Sequence, residues 1–86
     1  MTKTYKNLNN YADAIIFGFE HTYNIAKENN WKFVEFANII DDECSNFQGA
    51  LLFAQIYENK ITGEQYVELR DKVFNAKYDY IRKFTA

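Results

Sequence analysis

The sequence predicts an all-α fold, a compact bundle of three to four helices around a central hydrophobic helix. Apolar residues recur at spacings of three and four along most of the chain. Two capping-box patterns, Ser/Thr followed three residues later by Gln, precede apolar runs. The chain has no proline and only three isolated glycines, so little in it interrupts a helix. We expect one domain spanning residues 1–86, which is a typical size for a small single domain.

Residues 45–58 are the stretch around which the predicted bundle is arranged. Between positions 50 and 57 only Gln55 is polar, and the apolar residues fall on every side of a helix. A helix that is hydrophobic all round needs cover from several directions. We therefore expect this segment to lie inside the bundle, with the first and last helices packed across it.

A first amphipathic helix is predicted to begin at Asn10 and to end at residues 29–30, after a loose polar segment over residues 1–9. Asn10 is a suitable N-cap, and asparagine at the other end suits the left-handed C′ position. The apolar face consists of Tyr11, Ala12, Ile15, Phe19, Thr22, Tyr23 and Ala26. Phe17 points to the polar side. The run AIIFGF is also compatible with a short buried strand, but the helical interpretation is preferred.

A second helix is predicted to follow Trp31, with a break near residues 41–45. The apolar positions at helical spacing are Phe33, Phe36, Ala37, Ile40 and Cys44. One uninterrupted helix over residues 31–58 would be about 42 Å long at 1.5 Å per residue, more than a compact domain of this size accommodates comfortably. Ser45 and Gln48 form a capping box directly after an acidic run. The sequence therefore predicts two helices here.

The last helix has the clearest boundary signals in the sequence. Thr62 and Gln65 form a capping box, and Ile61 with Tyr66 supplies a hydrophobic staple around it. One apolar stripe consists of Tyr66, Leu69, Val73, Ala76, Tyr80 and Phe84. A second stripe lies roughly 120° away and consists of Val67, Phe74, Tyr78 and Ile81. Arg70 and Lys77 fall between the two stripes.

Charge and composition weigh against several function classes. Residues 31–60 carry two lysines against five acids, and residues 61–86 carry five basic side chains against four acids. No segment is basic enough to indicate a nucleic-acid surface, and the hydrophobic segment 45–58 has no Lys or Arg with which to read a groove. No apolar run approaches the length of a membrane span, and the first ten residues lack a signal peptide's apolar region. We therefore expect a cytoplasmic protein without a membrane contact.

Catalytic and metal chemistry have weak support in the sequence. The single cysteine, Cys44, excludes an intramolecular disulfide and a cysteine-based zinc site. Its phase with Phe36 and Ile40 is typical of a small buried residue, and the only histidine, His21, is expected at the surface. The acidic run at residues 41–43 lacks the spacing of a calcium loop. We expect no enzyme activity, no metal and no cofactor.

The second stripe of the last helix is the strongest functional indication. The apolar arc of this helix is about 200° wide, more than one neighbouring face is expected to cover. Exposed aromatic residues beside basic ones are typical of protein interfaces. The predicted partner-binding residues are Arg70, Phe74, Lys77, Tyr78 and Ile81, with Phe17 on the first helix as a smaller indication of the same kind. The alternative is that both stripes face neighbours within the domain.

The sequence therefore predicts a small non-catalytic protein that binds another protein. Small size and an amino-acid bias typical of AT-rich genes suit a phage- or mobile-element-encoded inhibitor of a host or defence enzyme. One alternative is a homodimer that buries the second stripe and acts as a regulatory or nucleic-acid-binding protein. A bacterial immunity-type protein is a further alternative, by fold analogy alone.

Overall fold

The computed structural model describes residues 3–86 and consists of three helices. They are α1 (Lys3–Glu28), α2 (Phe33–Leu52), which continues into a π-helical turn (Phe53–Tyr57), and α3 (Gly63–Thr85). The described residues form no strand, so the predicted all-α bundle is confirmed and residues 14–19 are helical. Ring contacts of Tyr11 with Phe47 and of Tyr23 with Phe36 show that α1 and α2 are antiparallel.

The bundle is long and narrow, with principal extents of 43 × 18 × 16 Å. A 26-residue helix such as α1 is about 39 Å long, so it runs nearly the whole length of the molecule. With helices about 10 Å across, the short dimensions hold three helices side by side. Each helix contacts the other two and keeps one outer face, so no helix is enclosed.

The core runs along the axis between the three helices. Its buried residues are Ala12, Ile15, Phe19, Ala26, Phe36, Ile40, Cys44, Phe47, Leu51, Ala54, Ile61, Leu69 and Val73. An aromatic group at the C-terminal end of α3 closes one end of this core. Here the rings of Phe36 and Phe84 stack with centroids 4.7 Å apart and planes 8° apart, a geometry that adds stability beyond the buried area alone.

The first helix begins earlier than the sequence predicts. Residues 3–9, expected to be loose, are helical and continue α1, while Met1 and Thr2 lie outside the described residues. The reason is contact with α3. The Tyr5 hydroxyl donates to Glu68 Oε1 at 2.6 Å, Leu8 packs against the core, and Lys72 Nζ donates to Asn9 Oδ1 at 3.0 Å. These contacts provide the tertiary stabilisation that local propensity lacks.

The end of α1 follows the sequence prediction. Asn30 adopts a left-handed conformation with φ of 55°, and the Trp31 N–H donates to the Ala26 carbonyl at 2.9 Å. This is the Schellman arrangement, which satisfies a carbonyl that the last helical turn leaves without a partner. The chain then reverses within four residues and enters α2 at Phe33.

The predicted break near residues 41–45 is wrong, because α2 continues through it without interruption. Ser45 lies exposed in the middle of the helix and caps nothing, while Cys44 on the adjacent face is buried. Ile40, Cys44 and Phe47 recur at helical spacing, and all three are buried. The helix stays continuous because a break would remove these side chains from the core. The second capping box is confirmed: Thr62 Oγ1 accepts from the Gln65 N–H, and Gln65 Oε1 accepts from the Thr62 N–H, both at 3.0 Å.

The real break in the second segment lies after residue 52, where the helix widens into the π-helical turn. The Glu58 N–H donates to the Phe53 carbonyl at 3.1 Å, and the Lys60 N–H reaches back to the Ala54 carbonyl at 2.9 Å. Asn59 between them is left-handed, with φ of 52°. The chain can then turn so that Ile61 is buried before α3 begins.

Candidate protein-interaction surface

The segment predicted to lie at the centre of the bundle is buried on one side only. Phe47, Leu51 and Ala54 point into the core. The remaining large apolar residues of this segment point to solvent: Leu52 is 37% exposed, Phe53 55%, Ile56 64% and Tyr57 79%. We call these four residues the α2-end patch. The expectation that residues 50–57 are covered on all sides is therefore wrong.

The patch follows from helical spacing combined with the three-helix cross-section. Leu52 and Phe53 each lie three or four residues before Ile56, and Phe53 lies four residues before Tyr57, so these pairs are neighbours on the helix surface. The rings of Phe53 and Tyr57 are in contact, with centroids 5.5 Å apart and planes inclined by 32°. The π-helical turn contains three of the four residues, and such wide turns occur frequently at functional sites.

The chain segment that contains the patch is uncharged. Residues 44–57 include no acidic or basic side chain. Asp42 lies exposed on the N-terminal side, and the ion pair of Glu58 and Lys60, with Nζ and Oε2 3.4 Å apart, lies on the C-terminal side. Gly49, one helical turn before Phe53, is exposed, and a Cβ added there would meet no atom within 4 Å.

The second stripe of α3 packs partly against α2 instead of facing solvent. Phe74 and Ile81 are half-buried and pack against the core. The Lys77 ammonium lies 2.5 Å from Asp41 Oδ1 on α2, and it also lies over the rings of Phe74 and Tyr78 at 5.5 and 5.3 Å. The hydrogen bond and charge of Asp41 raise the pKa of Lys77, and partial burial opposes them. Lys77 is thus engaged within the bundle.

The other two predicted residues of α3 differ in exposure. The Arg70 guanidinium pairs with Asp71 at 3.1 Å and lies 5.6 Å from the centre of the Tyr66 ring. Tyr78 is exposed, as is Val67 on the same stripe. Tyr78 is therefore the large aromatic side chain of the predicted α3 set that remains accessible, and its role in partner binding stays a prediction.

Phe17 lies on α1, away from the seam between α2 and α3. Its side chain is 73% exposed and lines a shallow depression together with Glu20, His21 and Asn24. The structure thus places the six predicted residues on two different helices, and only Phe17 and Tyr78 among their large apolar side chains are exposed. A second shallow groove, where Gly18 leaves space beside Tyr11 and Thr22, lies between α1 and Glu43 of α2.

The single cysteine, Cys44, is poorly suited to act as a nucleophile. Its side chain is buried, and this burial raises the pKa of the Cys44 thiol to about 11 against the opposing charge of Lys77, while Asp41 and Glu43 raise it further. A thiol with so high a pKa is almost entirely protonated at neutral pH, whereas the thiolate is the nucleophile. His21 is exposed on α1. Within residues 3–86, no three His, Cys, Asp or Glu side chains are grouped so as to hold a metal ion.

Sequence reasoning missed the α2-end patch, although the signal was present. The all-round hydrophobicity of residues 50–57 predicts cover on all sides, but three helices side by side cover only one side of each. None of the helices in the described part of the chain is long and apolar enough to cross a membrane. No protein-family model, no curated protein and no solved structure matches this chain.

Proposed function

We propose that this chain is a non-catalytic protein-binding protein and that the α2-end patch is its contact surface. The observation that supports the proposal is the exposure of four large, contiguous apolar side chains that no other part of the described chain covers. With about 200 Å² for each large side chain, their exposed area is on the order of 500 Å². Apolar patches of about 300–600 Å² are the largest on typical monomers and are often functional.

The composition of the patch also supports protein recognition. Aromatic residues are enriched in interface cores, and charged residues are depleted there. The patch contains Phe53 and Tyr57 and lies within a segment that has no charged side chain. The predicted role as an inhibitor of a host or defence enzyme is a narrower form of this proposal, and its support remains the size and composition of the chain.

A capture experiment with paired variants tests the proposal. The tagged wild-type protein and the double variant Phe53→Ser/Tyr57→Ser are compared in extracts of the organism that carries the gene, with bound proteins quantified by mass spectrometry. Val34→Ser is the matched control, because Val34 is an exposed apolar residue near the opposite end of α2. We expect a protein that the wild type and the control retain and the double variant loses. Identical captured sets for all three chains would refute the proposal.

The same experiment separates the patch from the predicted α3 surface. The double variant Arg70→Ala/Tyr78→Ala removes the exposed Tyr78 ring of the second stripe and the neighbouring Arg70, and it leaves Phe74 and Ile81 against the core. If this variant loses the captured protein and Phe53→Ser/Tyr57→Ser retains it, the contact surface lies on α3 and not on the α2-end patch. Circular dichroism of each variant checks that the helices are retained.

A further inference from the structure

We infer that the partner which covers the α2-end patch is a second copy of this chain, joined by a two-fold axis near Leu52. This inference rests on the proposal that the patch is a protein-binding surface. In such a dimer the two α2 helices pack antiparallel through their outer faces, and the same patch contributes on both sides, as in other two-fold symmetric interfaces.

The area of the patch meets what a small dimer needs. Two patches of on the order of 500 Å² each would bury about 1,000 Å² in total, which is the lower limit for a specific interface. The rim residues Ser45, Asn46 and Gln55 would add polar area. Residues 44–57 also bring no like charges of their own together when this segment faces a second copy, which lowers the electrostatic penalty of self-association.

Charges on the two sides of the patch favour the antiparallel arrangement. Asp42 lies before the patch on α2, and Lys60 lies just past its other end, where its N–H reaches back to the Ala54 carbonyl. A two-fold axis near Leu52 therefore places Asp42 of each copy at the end of the partner's patch where the partner's Lys60 lies. The Lys60 ammonium is about half exposed and pairs within its own chain with Glu58. In the dimer it would also lie near the partner's Asp42. Such rim pairs set register more than they add affinity.

Gly49 provides the closest approach between the two helices. It lies three and four residues before Leu52 and Phe53, on the same exposed face, and it has no side chain to hold the partner helix away. A glutamate at this position fits the monomer, since the space around an added Cβ is open. The same glutamate would place two carboxylates inside the dimer interface without partners.

Sedimentation velocity and light scattering between about 5 and 500 micromolar test the inference, since an interface of this size predicts a weak dimer with a Kd of about 1–100 micromolar. We expect Gly49→Glu to raise the Kd at least tenfold. It should keep the helical signal and unfold at a temperature no lower than the wild-type monomer, because glycine is the poorer residue inside a helix. Phe17→Glu is the matched control, because it introduces the same charge at an exposed apolar residue on α1; it should dimerise like the wild type.

A charge swap tests whether a second copy of this chain covers the α2-end patch. Asp42→Lys alone and Lys60→Glu alone place like charges opposite each other and should each weaken the dimer about threefold or more, whereas the double variant should restore it.

A wild type that remains monomeric at the highest concentration, or a Gly49→Glu variant that dimerises normally, would overturn the inference. If the chain is monomeric but Phe53→Ser/Tyr57→Ser loses a different protein in the capture experiment, the proposed function stands and the self-association fails. If the chain is monomeric and capture is unchanged, both fail.

Discussion

Lys77 on α3 and Asp41 on α2 form an ion pair 2.5 Å long in the seam between the two helices. The lysine side chain is only 16% exposed, and the Asp41 oxygen that it contacts is shielded from solvent although the rest of that side chain is half exposed. In its exposure to solvent, the pair is therefore intermediate between a surface salt bridge and a buried one. It also explains why a basic residue stands between two apolar stripes: the stem of Lys77 covers apolar surface while its ammonium meets an acid on the next helix.

A double-mutant cycle over Lys77→Met and Asp41→Asn measures this pair. We expect a coupling free energy of about 1 kcal/mol, since partial burial strengthens the attraction beyond the smaller value typical of exposed pairs. The free energy of unfolding by urea gives the four values. The control is the same cycle on Arg82 and Asp79, whose pair is about 70% exposed on both sides; its coupling should be close to zero. Equal coupling in the two cycles would contradict the geometry.

Two Ser/Thr substitutions test which capping box exists. Thr62→Ala should lower the free energy of unfolding by about 1 kcal/mol, because it removes the acceptor for the Gln65 N–H. Ser45→Ala should leave stability unchanged or raise it by up to about 0.5 kcal/mol, because alanine is the better residue inside a helix. Thermal or urea unfolding distinguishes the two. A loss at Ser45 as large as that at Thr62 would mean that α2 is broken near residue 45 after all.

The aromatic end of the bundle should be more sensitive than the exposed patch to the same substitution. Phe84→Leu removes a ring that is stacked on buried Phe36, and we expect a loss of about 1 kcal/mol. Phe53→Leu changes an exposed ring on the α2-end patch and should stay within about 0.5 kcal/mol. Urea unfolding at a concentration where the wild type is monomeric checks the difference. Equal losses would show that Phe53 is buried in the monomer.

Alkaline pH should destabilise the fold in a window set by Cys44. Burial raises the pKa of this thiol in the folded state from about 9 to about 11, so the unfolded chain loses its proton first as the pH rises. Stability is therefore fully present below about pH 9 and declines towards pH 11, by up to about 2 kcal/mol.

A cysteine-free variant isolates this contribution. Cys44→Ala should be less stable than the wild type at pH 8, because it leaves a small cavity, and should show a shallower decline up to pH 10. The pKa of Lys77 is also raised, so its contribution to stability is lost only as the pH rises above about 10.5. A decline in stability between about pH 9 and about pH 10 therefore does not come from Lys77. Parallel pH profiles for the two proteins would show that the thiol is not responsible.

The local signals in the sequence located the helix boundaries where side chains act on their own backbone. Thr62 with Gln65 and the left-handed Asn30 are of this kind, since their hydrogen bonds join residues three to five positions apart. Ser45 and Gln48 show the same pattern but form no capping box. Burying Ile40, Cys44 and Phe47 in one continuous helix stabilises the fold more than a cap at Ser45 would. The helix at residues 3–9 depends on distant contacts with Glu68 and Lys72 that no local pattern reveals.

The candidate surface was harder to predict for a related reason. Composition shows how much apolar surface the chain has, but the number of helices decides how much of it is covered. With three helices, the second stripe of α3 finds α2 as a neighbour through Phe74, Lys77 and Ile81. Within residues 3–86, the outer side of residues 52–57 has no such neighbour. The predicted role of the second stripe of α3 in partner binding remains a prediction.

The absence of charge between Glu43 and Glu58 also has a consequence for the unfolded chain. The run GALLFAQIY within it is strongly apolar and contains no proline, and sequences of this composition form intermolecular β-structure when they are exposed. Acidic residues stand at the borders of the uncharged segment, Glu43 before it and Glu58 after it, where we expect them to limit aggregation. Helix α2 therefore protects solubility as well as holding the core together, and expression of destabilised variants should decline through inclusion-body formation.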